Sequence, residues 1–354
     1  MFMRDKIKIV KEGSAKIIVP NVEKVEDSRS NGFYNPAMKN NRDLSIIIAK
    51  RYKELYNNNP KILDAFTATG IRAIRYFKEV NEDVTACDVN EKAFSLAKKN
   101  AEINAAKIRF FNSDWRNLNE GFDIIDIDPY GSPCGHIDKA FQILKTPGML
   151  FVTATDTAVL NGVYPNISLR RYGVKSIHSD FAKELATRIL ISFIIREGAK
   201  YDRAFTPILS IQERHYVRIF GLVKKGAEMA NHIMEKFNFL SHCSCGYREI
   251  GIKLKCPKCK KNMKVDGPYY FGNLHDKDFL KNINHKLIQL SNKEINTPLF
   301  YDVHKICKKY KKVPRKMNDI INDLKNNGFL ASRTLFSPTG IKSNCSIDDL
   351  LSVI

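Results

Sequence analysis

Residues 123–133 read Asp-Ile-Ile-Asp-Ile-Asp-Pro-Tyr-Gly-Ser-Pro. The apolar run from Phe122 to Ile127 has the length and β-branched content of a buried strand, and it stops at Asp128-Pro129-Tyr130. Proline cannot donate to a sheet ladder, so the strand opens into a loop there. In an open parallel sheet, ligands bind beyond the carboxyl ends of the strands. A carboxylate, a carbonyl and an aromatic plane at such an end suit a flat base carrying an exocyclic amine. The oxygens accept from the NH2 and the ring stacks on the base. Asp126 should share a side of the strand with Asp128 and lie within the packing, where a carboxylate needs a partner; it reads as structural support. The plainer alternative is a strand terminator whose acids are turn residues.

Outward from this strand, residues 61 to 223 alternate short apolar runs with helix-length amphipathic stretches, the pattern of an α/β fold on a parallel sheet. Strands are expected at Lys61–Phe66, Asp83–Cys87, Ile108–Asn112, Phe122–Ile127 and Met149–Thr155. Helices are expected at Arg42–Tyr56, Gly70–Glu79, Glu91–Asn104, His136–Leu144 and Asp180–Glu197. Phe205–Gln212 and Tyr216–Val223 read as an antiparallel hairpin closing the sheet. This order is that of a Rossmann-like methyltransferase. We place the first domain at 1–226 with an N-terminal extension, and a second at 227–354. The second opens with a helix at Ala230–Phe237. Further helices near Lys286–Asn292, Tyr301–Lys311 and Arg315–Asn327 and a strand near Leu330–Leu335 make it a smaller α+β unit resembling a winged helix.

Three other strand ends carry carboxylates. Asp64-Ala-Phe-Thr-Ala-Thr-Gly70 is a strand–turn–helix junction with one glycine and no P-loop lysine. It lacks the glycines that admit a pyrophosphate. A cofactor without phosphates fits better: S-adenosyl-L-methionine, with Asp64 near its ammonium end and Gly70 letting the chain pass close. Asp88 ends the second strand, where an acid accepts from ribose hydroxyls; its alternative is a helix cap. Asp114 ends the third and would accept from an adenine amine, with Trp115 nearby, unless it is a cap or turn residue.

The formal charge of +20, with 58 Lys and Arg against 38 Asp and Glu, favours a polyanionic partner and hence nucleic acid. A generally lysine-rich composition is the alternative. Hydrophobic residues at 44% supply an ample core, and no run of eighteen apolar residues reads as a membrane span. Eight cysteines are too few for a disulfide scaffold. Four of them, Cys243-x-Cys245 and Cys256-x-x-Cys259, have the paired spacing of a structural four-thiolate Zn2+ site. His242 and His232 are spare ligands to a shell that four thiolates already close. These features point to a soluble, cytoplasmic protein with no membrane partner; the oligomeric state stays open, with a monomer as the default.

Asp-Pro-Tyr-Gly-Ser-Pro at 128–133, Asp-Ala-Phe-Thr-Ala-Thr-Gly-Ile-Arg at 64–72 and Phe-Tyr-Asn-Pro at 33–36 resemble the archaeal–eukaryotic tRNA guanine-26 N2,N2-dimethyltransferase family, over about Phe33 to Lys342. DNA and release-factor amine methyltransferases instead carry Asp/Asn-Pro-Pro-Tyr/Phe. The resemblance implies a class I S-adenosylmethionine-dependent methyltransferase with a C-terminal RNA-binding domain, acting on tRNA. It implies that Asp128 and Pro129 hold the guanine amine while Tyr130 and Phe33 sandwich the base. Arg42 and Arg72 would lie by the cofactor's carboxylate, with Asp88, Val89 and Asp114 around ribose and adenine. The competing readings are an N6-adenine or N4-cytosine methyltransferase and a non-catalytic zinc-containing RNA-binding subunit.

Overall fold

The computed structural model describes residues 7–20 and 34–354. The first elements are a hairpin, β1 (Ile7–Glu12) and β2 (Ala15–Pro20), paired antiparallel from Ile7↔Pro20 to Glu12↔Ala15. Then come α1 (Lys39–Leu55), β3 (Ile62–Asp64), α2 (Ile71–Arg75), β4 (Val84–Cys87), α3 (Glu91–Ile103), β5 (Arg109–Phe111), β6 (Phe122–Ile127), α4 (Cys134–Ile143) and β7 (Leu144–Ala154). After β7 follow α5 (Thr157–Leu160), α6 (Pro165–Tyr172), α7 (Ala182–Ala199), β8 (Arg203–Gln212) and β9 (Val217–Lys225).

The sheet has seven strands in the order β5-β4-β3-β6-β7-β9-β8. β3, β4, β5, β6 and β7 are parallel, as the alternating pattern predicts. Every residue of β6 is buried, which is why it reads as an almost unbroken apolar run. The four residues joining β8 to β9 are too few for a parallel crossover, so this pair is antiparallel. In register, Asp64 of β3 stands opposite Asp126 of β6, so two strand-end carboxylates are adjacent.

The described chain packs as two compact units, one comprising residues up to 153 with 220–225, the other 154–219 with 226–354. That grouping differs from a single cut at 226. In the second unit, α8 (Ala227–Met234) leads to a three-stranded sheet, β11-β10-β12, built from β10 (Phe237–His242), β11 (Arg248–Ile250) and β12 (Lys264–Tyr270). The chain ends as α9 (Lys286–Lys293), β13 (Tyr301–Asp302), α10 (Val303–Tyr310), α11 (Met317–Asn326), β14 (Ala331–Arg333), β15 (Gly340–Ser343) and α12 (Ile347–Val353). Its sheet order is β13-β15-β14, and its core contains Val303, Ile306, Ile320, Leu324, Ile341 and Leu350. From α9 to β15 this is the element order of a winged helix.

Several expected boundaries move. The helix expected over Tyr301–Lys311 begins at Val303, because Tyr301–Asp302 pairs with β15 and the Asp302 side chain caps the helix by accepting from the Lys305 backbone N–H. The helix expected at Ala230–Phe237 starts three residues earlier, and Phe237 opens β10. β7 begins at Leu144, since Lys145-Thr-Pro-Gly does not break it. The β1–β2 hairpin, α5, α6, the β10–β12 sheet and α12 were not expected. Among the described residues no helix is long and apolar enough to cross a membrane.

Candidate active site

The β6 end places Asp128 partly exposed, Pro129 buried and Tyr130 open to solvent at 70% exposure. One carboxylate oxygen of Asp128, Oδ2, accepts from the Arg72 guanidinium. Among the described residues its other oxygen has no donor. Arg72 is 5% exposed, and its other terminal nitrogen donates to Asn41 Oδ1 at 3.0 Å, Ser45 Oγ at 2.7 Å and Asp126 Oδ2 at 3.0 Å. Tyr76, one turn on from Arg72, donates to the same Asp126 oxygen at 2.7 Å. Asp126, wholly buried, thus has the partners that its burial demands. The guanidinium bridges the two carboxylates, one nitrogen on Asp126 and the other on Asp128, and this charge-assisted bond fixes where the Asp128 carboxylate points.

Asp64 is the opposite case. It is fully buried at the end of β3, and neither of its oxygens accepts a hydrogen bond among the described residues. Burial pushes its carboxyl up to about 7, although the nearby Arg72 pulls in the other direction. An unpartnered buried carboxylate is costly unless a cation meets it. Gly70 follows at φ +80, and a Cβ there would meet Ala97 of α3 at 3.1 Å. Glycine is therefore required by the turn and by the seat of α3.

Asp88 does not cap α3; Asn90 does, accepting from the Lys92 and Ala93 backbone. Asp88 instead accepts from the Ala68 N–H at 2.9 Å and the Asn90 N–H at 2.9 Å, bracing the Asp64–Gly70 loop. Burial raises its pKa, and those two bonds oppose the rise. Val89 beside it is 71% exposed, an apolar side chain held out on the surface. Asp114 caps the short turn Trp115–Asn117 and pairs with Arg116 at 2.6 Å, whose hydrogen bonds hold its pKa below the usual range. Trp115 is buried, its indole N–H without a hydrogen-bond partner among the described residues, and tilted over His136 at 6.0 Å, while Phe66 meets that imidazole edge-on at 4.9 Å. Burial first, and then Arg116, lowers the His136 pKa.

Arg42 donates from Nε and one terminal nitrogen to Glu12 at 2.7 and 2.6 Å, and to the Asn35 carbonyl at 3.1 Å. Its guanidinium lies 5.0 Å from the centre of the Tyr34 ring, and its second terminal nitrogen has no carboxylate or carbonyl partner among the described residues. Glu12, at the end of β1, also accepts from Arg75 at 2.9 Å and from the Tyr34 hydroxyl at 3.1 Å. Burial alone would raise the Glu12 pKa, yet the two arginines hold it below the carboxylate range. Phe33 lies outside the described residues. Glu12, Asn41, Ser45 and Tyr76 escaped the sequence reading. Only Tyr76 left a signal there, the four-residue spacing that puts it on one helix face with Arg72.

The four cysteines converge. The Sγ atoms of Cys243, Cys245, Cys256 and Cys259 lie within 4.8 Å of one another, with Cys243–Cys259 at 3.4 Å and Cys245–Cys256 at 3.5 Å. Four thiolates bound tetrahedrally at about 2.3 Å would be about 3.8 Å apart, so this donor set fits a zinc ion. Two turns make it. The Cys243 carbonyl accepts from Gly246 N–H at 3.0 Å, and the Cys256 carbonyl accepts from Lys260 N–H at 2.9 Å. Neither His242, paired with Asp266, nor His232, paired with Glu235, joins them.

Comparison with known proteins gives the family of the chain. The profile of the family described as N2,N2-dimethylguanosine tRNA methyltransferase matches residues 13–354. A tRNA (guanine(26)-N(2))-dimethyltransferase of Methanosphaera stadtmanae is 36% identical, covering 98% of this chain and 96% of its own. The tRNA (guanine(26)-N(2)/guanine(27)-N(2))-dimethyltransferase of Aquifex aeolicus is 32% identical, covering 98% and 95%. Among solved structures, Trm1 from Pyrococcus horikoshii in complex with S-adenosyl-L-methionine superposes with a TM-score of 0.85 at 31% identity, covering 98% of this chain and 99% of that one. With a family profile and relatives matching along almost its full length, the chain belongs to the N2,N2-dimethylguanosine tRNA methyltransferase family.

Proposed function

We propose that this protein transfers methyl groups from S-adenosylmethionine to the exocyclic N2 of a guanine in tRNA, position 26 by its relatives, giving N2-methyl- and then N2,N2-dimethylguanosine. The observation that carries the proposal is Asp128: a carboxylate with one oxygen fixed by a buried arginine and the other without a donor, beside an exposed aromatic ring.

The residues present suit the cofactor. Asp64, whose oxygens meet no donor among the described residues, offers a buried anion to its ammonium, and the second terminal nitrogen of Arg42 offers a donor to its carboxylate. Asp88 and Asp114 would take ribose and adenine, with Val89 against the ring. Arg72 is assigned to the same carboxylate end, while its bonds to Asp126 and Asp128 make it a link between the two halves of the site. Bound there, S-adenosylmethionine supplies an electrophilic methyl on a sulfonium sulfur.

The rest falls to the protein. A guanine N2 is a weak nucleophile because its lone pair is delocalised into the ring. The free oxygen of Asp128 and the Pro129 carbonyl would accept the two amine hydrogens, orienting the nitrogen and stabilising the positive charge that grows on it. Tyr130 and Phe33 would hold the base between two rings. As the N–C bond forms, the methyl–sulfur bond breaks with its electron pair leaving on the sulfur, and the amine proton passes to Asp128 and from there to water. To present this edge the base must leave the tRNA stack, and an exposed ring lowers the cost of flipping. The four-cysteine cluster would hold zinc in a closed shell, a structural role with no open position for substrate.

Incubation of the purified protein with labelled S-adenosylmethionine and unmodified tRNA, followed by nucleoside analysis, tests the proposal. Labelled N2-methyl- and N2,N2-dimethylguanosine are expected; methyladenosine, methylcytidine or no labelled nucleoside refutes it.

A further inference from the structure

The winged-helix-like unit carries a groove of about 740 Å³ between α9, α11 and the edge strand β14. Its floor is apolar and includes Ile321, Phe329 and Leu330, the last 60% exposed. Its cations are Lys293, Lys325 and Arg333. Lys293 and Lys325 are exposed and have no ion-pair partner among the described residues, while Arg333 is held by the Pro338 carbonyl at 2.5 Å. No acid is among the lining residues. Residues 286–354 carry twelve Lys and Arg against six Asp and Glu, so the surrounding field has the same sign. An open groove with an apolar floor, two exposed lysines without ion-pair partners on its rim and no acid among its lining residues can meet base faces and phosphates together.

We infer that this groove binds an unpaired segment of RNA, bases against the Ile321–Phe329–Leu330 floor and phosphates on Lys293, Lys325 and Arg333. A duplex fits the groove poorly, because its bases are already stacked and only its phosphates reach out. An apolar floor with a cationic rim matches a single strand, whose base faces are exposed. The inference takes from the proposed function only that the partner is RNA.

The test uses the full chain and fluorescence anisotropy with two probes, a single-stranded RNA of about twelve nucleotides without self-complementarity and a duplex of the same length. Lys293→Glu with Lys325→Glu should weaken single-strand binding about tenfold or more. It should also lower the salt slope by about 1.4, the value for two lost phosphate contacts. The same reversal outside the groove, Lys305→Glu with Lys308→Glu, should cost less than about threefold. Leu330→Ser, at an exposed position that the fold does not need, should weaken the single strand and leave the duplex unchanged. Equal losses from both charge reversals, no change with Leu330→Ser, or displacement of the RNA by polyglutamate as readily as by unlabelled RNA would overturn the inference. If the groove variants behave as expected while the parent transfers no methyl to tRNA, the groove stands and the catalytic reading falls.

Discussion

Replacing Asp64 by asparagine should make the cofactor-free protein more stable at alkaline pH and a poorer binder of S-adenosylmethionine. Asp64 is fully buried, its two oxygens find no donor among the described residues, and burial pushes its carboxyl to about 7 from an ordinary 3.8. A pKa raised by folding favours the protonated form in the folded state. Stability from this group is therefore greatest below about pH 4 and is lost as pH rises through 7. Above pH 7 the ionised carboxylate costs about 4 kcal/mol, and between pH 5 and 8 the cofactor-free parent should lose about 3 kcal/mol on this account. Asparagine has no charge to bury, so Asp64→Asn should remove that slope and unfold at higher denaturant at pH 8. A cationic ammonium reverses the balance by pairing with the ionised form. Cofactor binding to the parent at pH 6 should then release close to one proton, an event absent in the variant, whose affinity should fall at least about tenfold. Denaturant titrations at pH 5 and 8, with calorimetric titrations in buffers of different ionisation enthalpy, measure both. Parallel pH–stability curves for parent and variant, or no proton release by the parent, would refute the reasoning.

Glu12→Gln leaves the buried Arg42 against a neutral amide, while Arg75 keeps Asp43 and Glu79, and should cost about 3 kcal/mol of stability. In the fraction that remains folded, the KM for cofactor should rise about tenfold with kcat little changed, because Arg42 loses the partner that aims it; steady-state kinetics at saturating tRNA separate the two. Cys256→Ser should bring bound zinc from about one per chain to near zero by metal analysis and lower the Tm, leaving cofactor affinity as in the parent. The turn that carries Cys245 would then keep its own backbone bonds and its ties to α10, where Lys309 donates to the Ser244 carbonyl at 2.6 Å and Tyr310 to that of Cys245. A parent protein without zinc would end the metal assignment.

What the sequence makes legible follows from range. β6 is buried on both faces and so announces itself, and the acids at strand ends are read directly because each ends an apolar run. The cysteine pairs are legible because each lies on one short turn. Partnerships across long stretches of chain are not. Nothing local says that Arg72 meets Asp128 fifty-six residues away, or that Glu12 meets Arg75 sixty-three away. Hence Arg72 reads as a cofactor ligand from family resemblance alone, and its carboxylate partners emerge only with the fold. Asp302 is a capping residue in plain view, masked in the sequence because the apolar period begins at Tyr301. Gly70 is legible as necessary, while its reason, the 3.1 Å approach of Ala97, belongs to tertiary packing.

Single-turnover methyl transfer by parent and Asp128→Ala, with cofactor affinity measured in parallel, bears most directly on the corner formed by Asp128, Pro129 and Tyr130. Removing the carboxylate takes away the acceptor that orients the amine and receives its proton. The rate constant for transfer to guanine N2 should fall at least about a thousandfold while S-adenosylmethionine binds within about threefold of the parent. Transfer by Asp128→Ala at the parental rate would contradict the assignment.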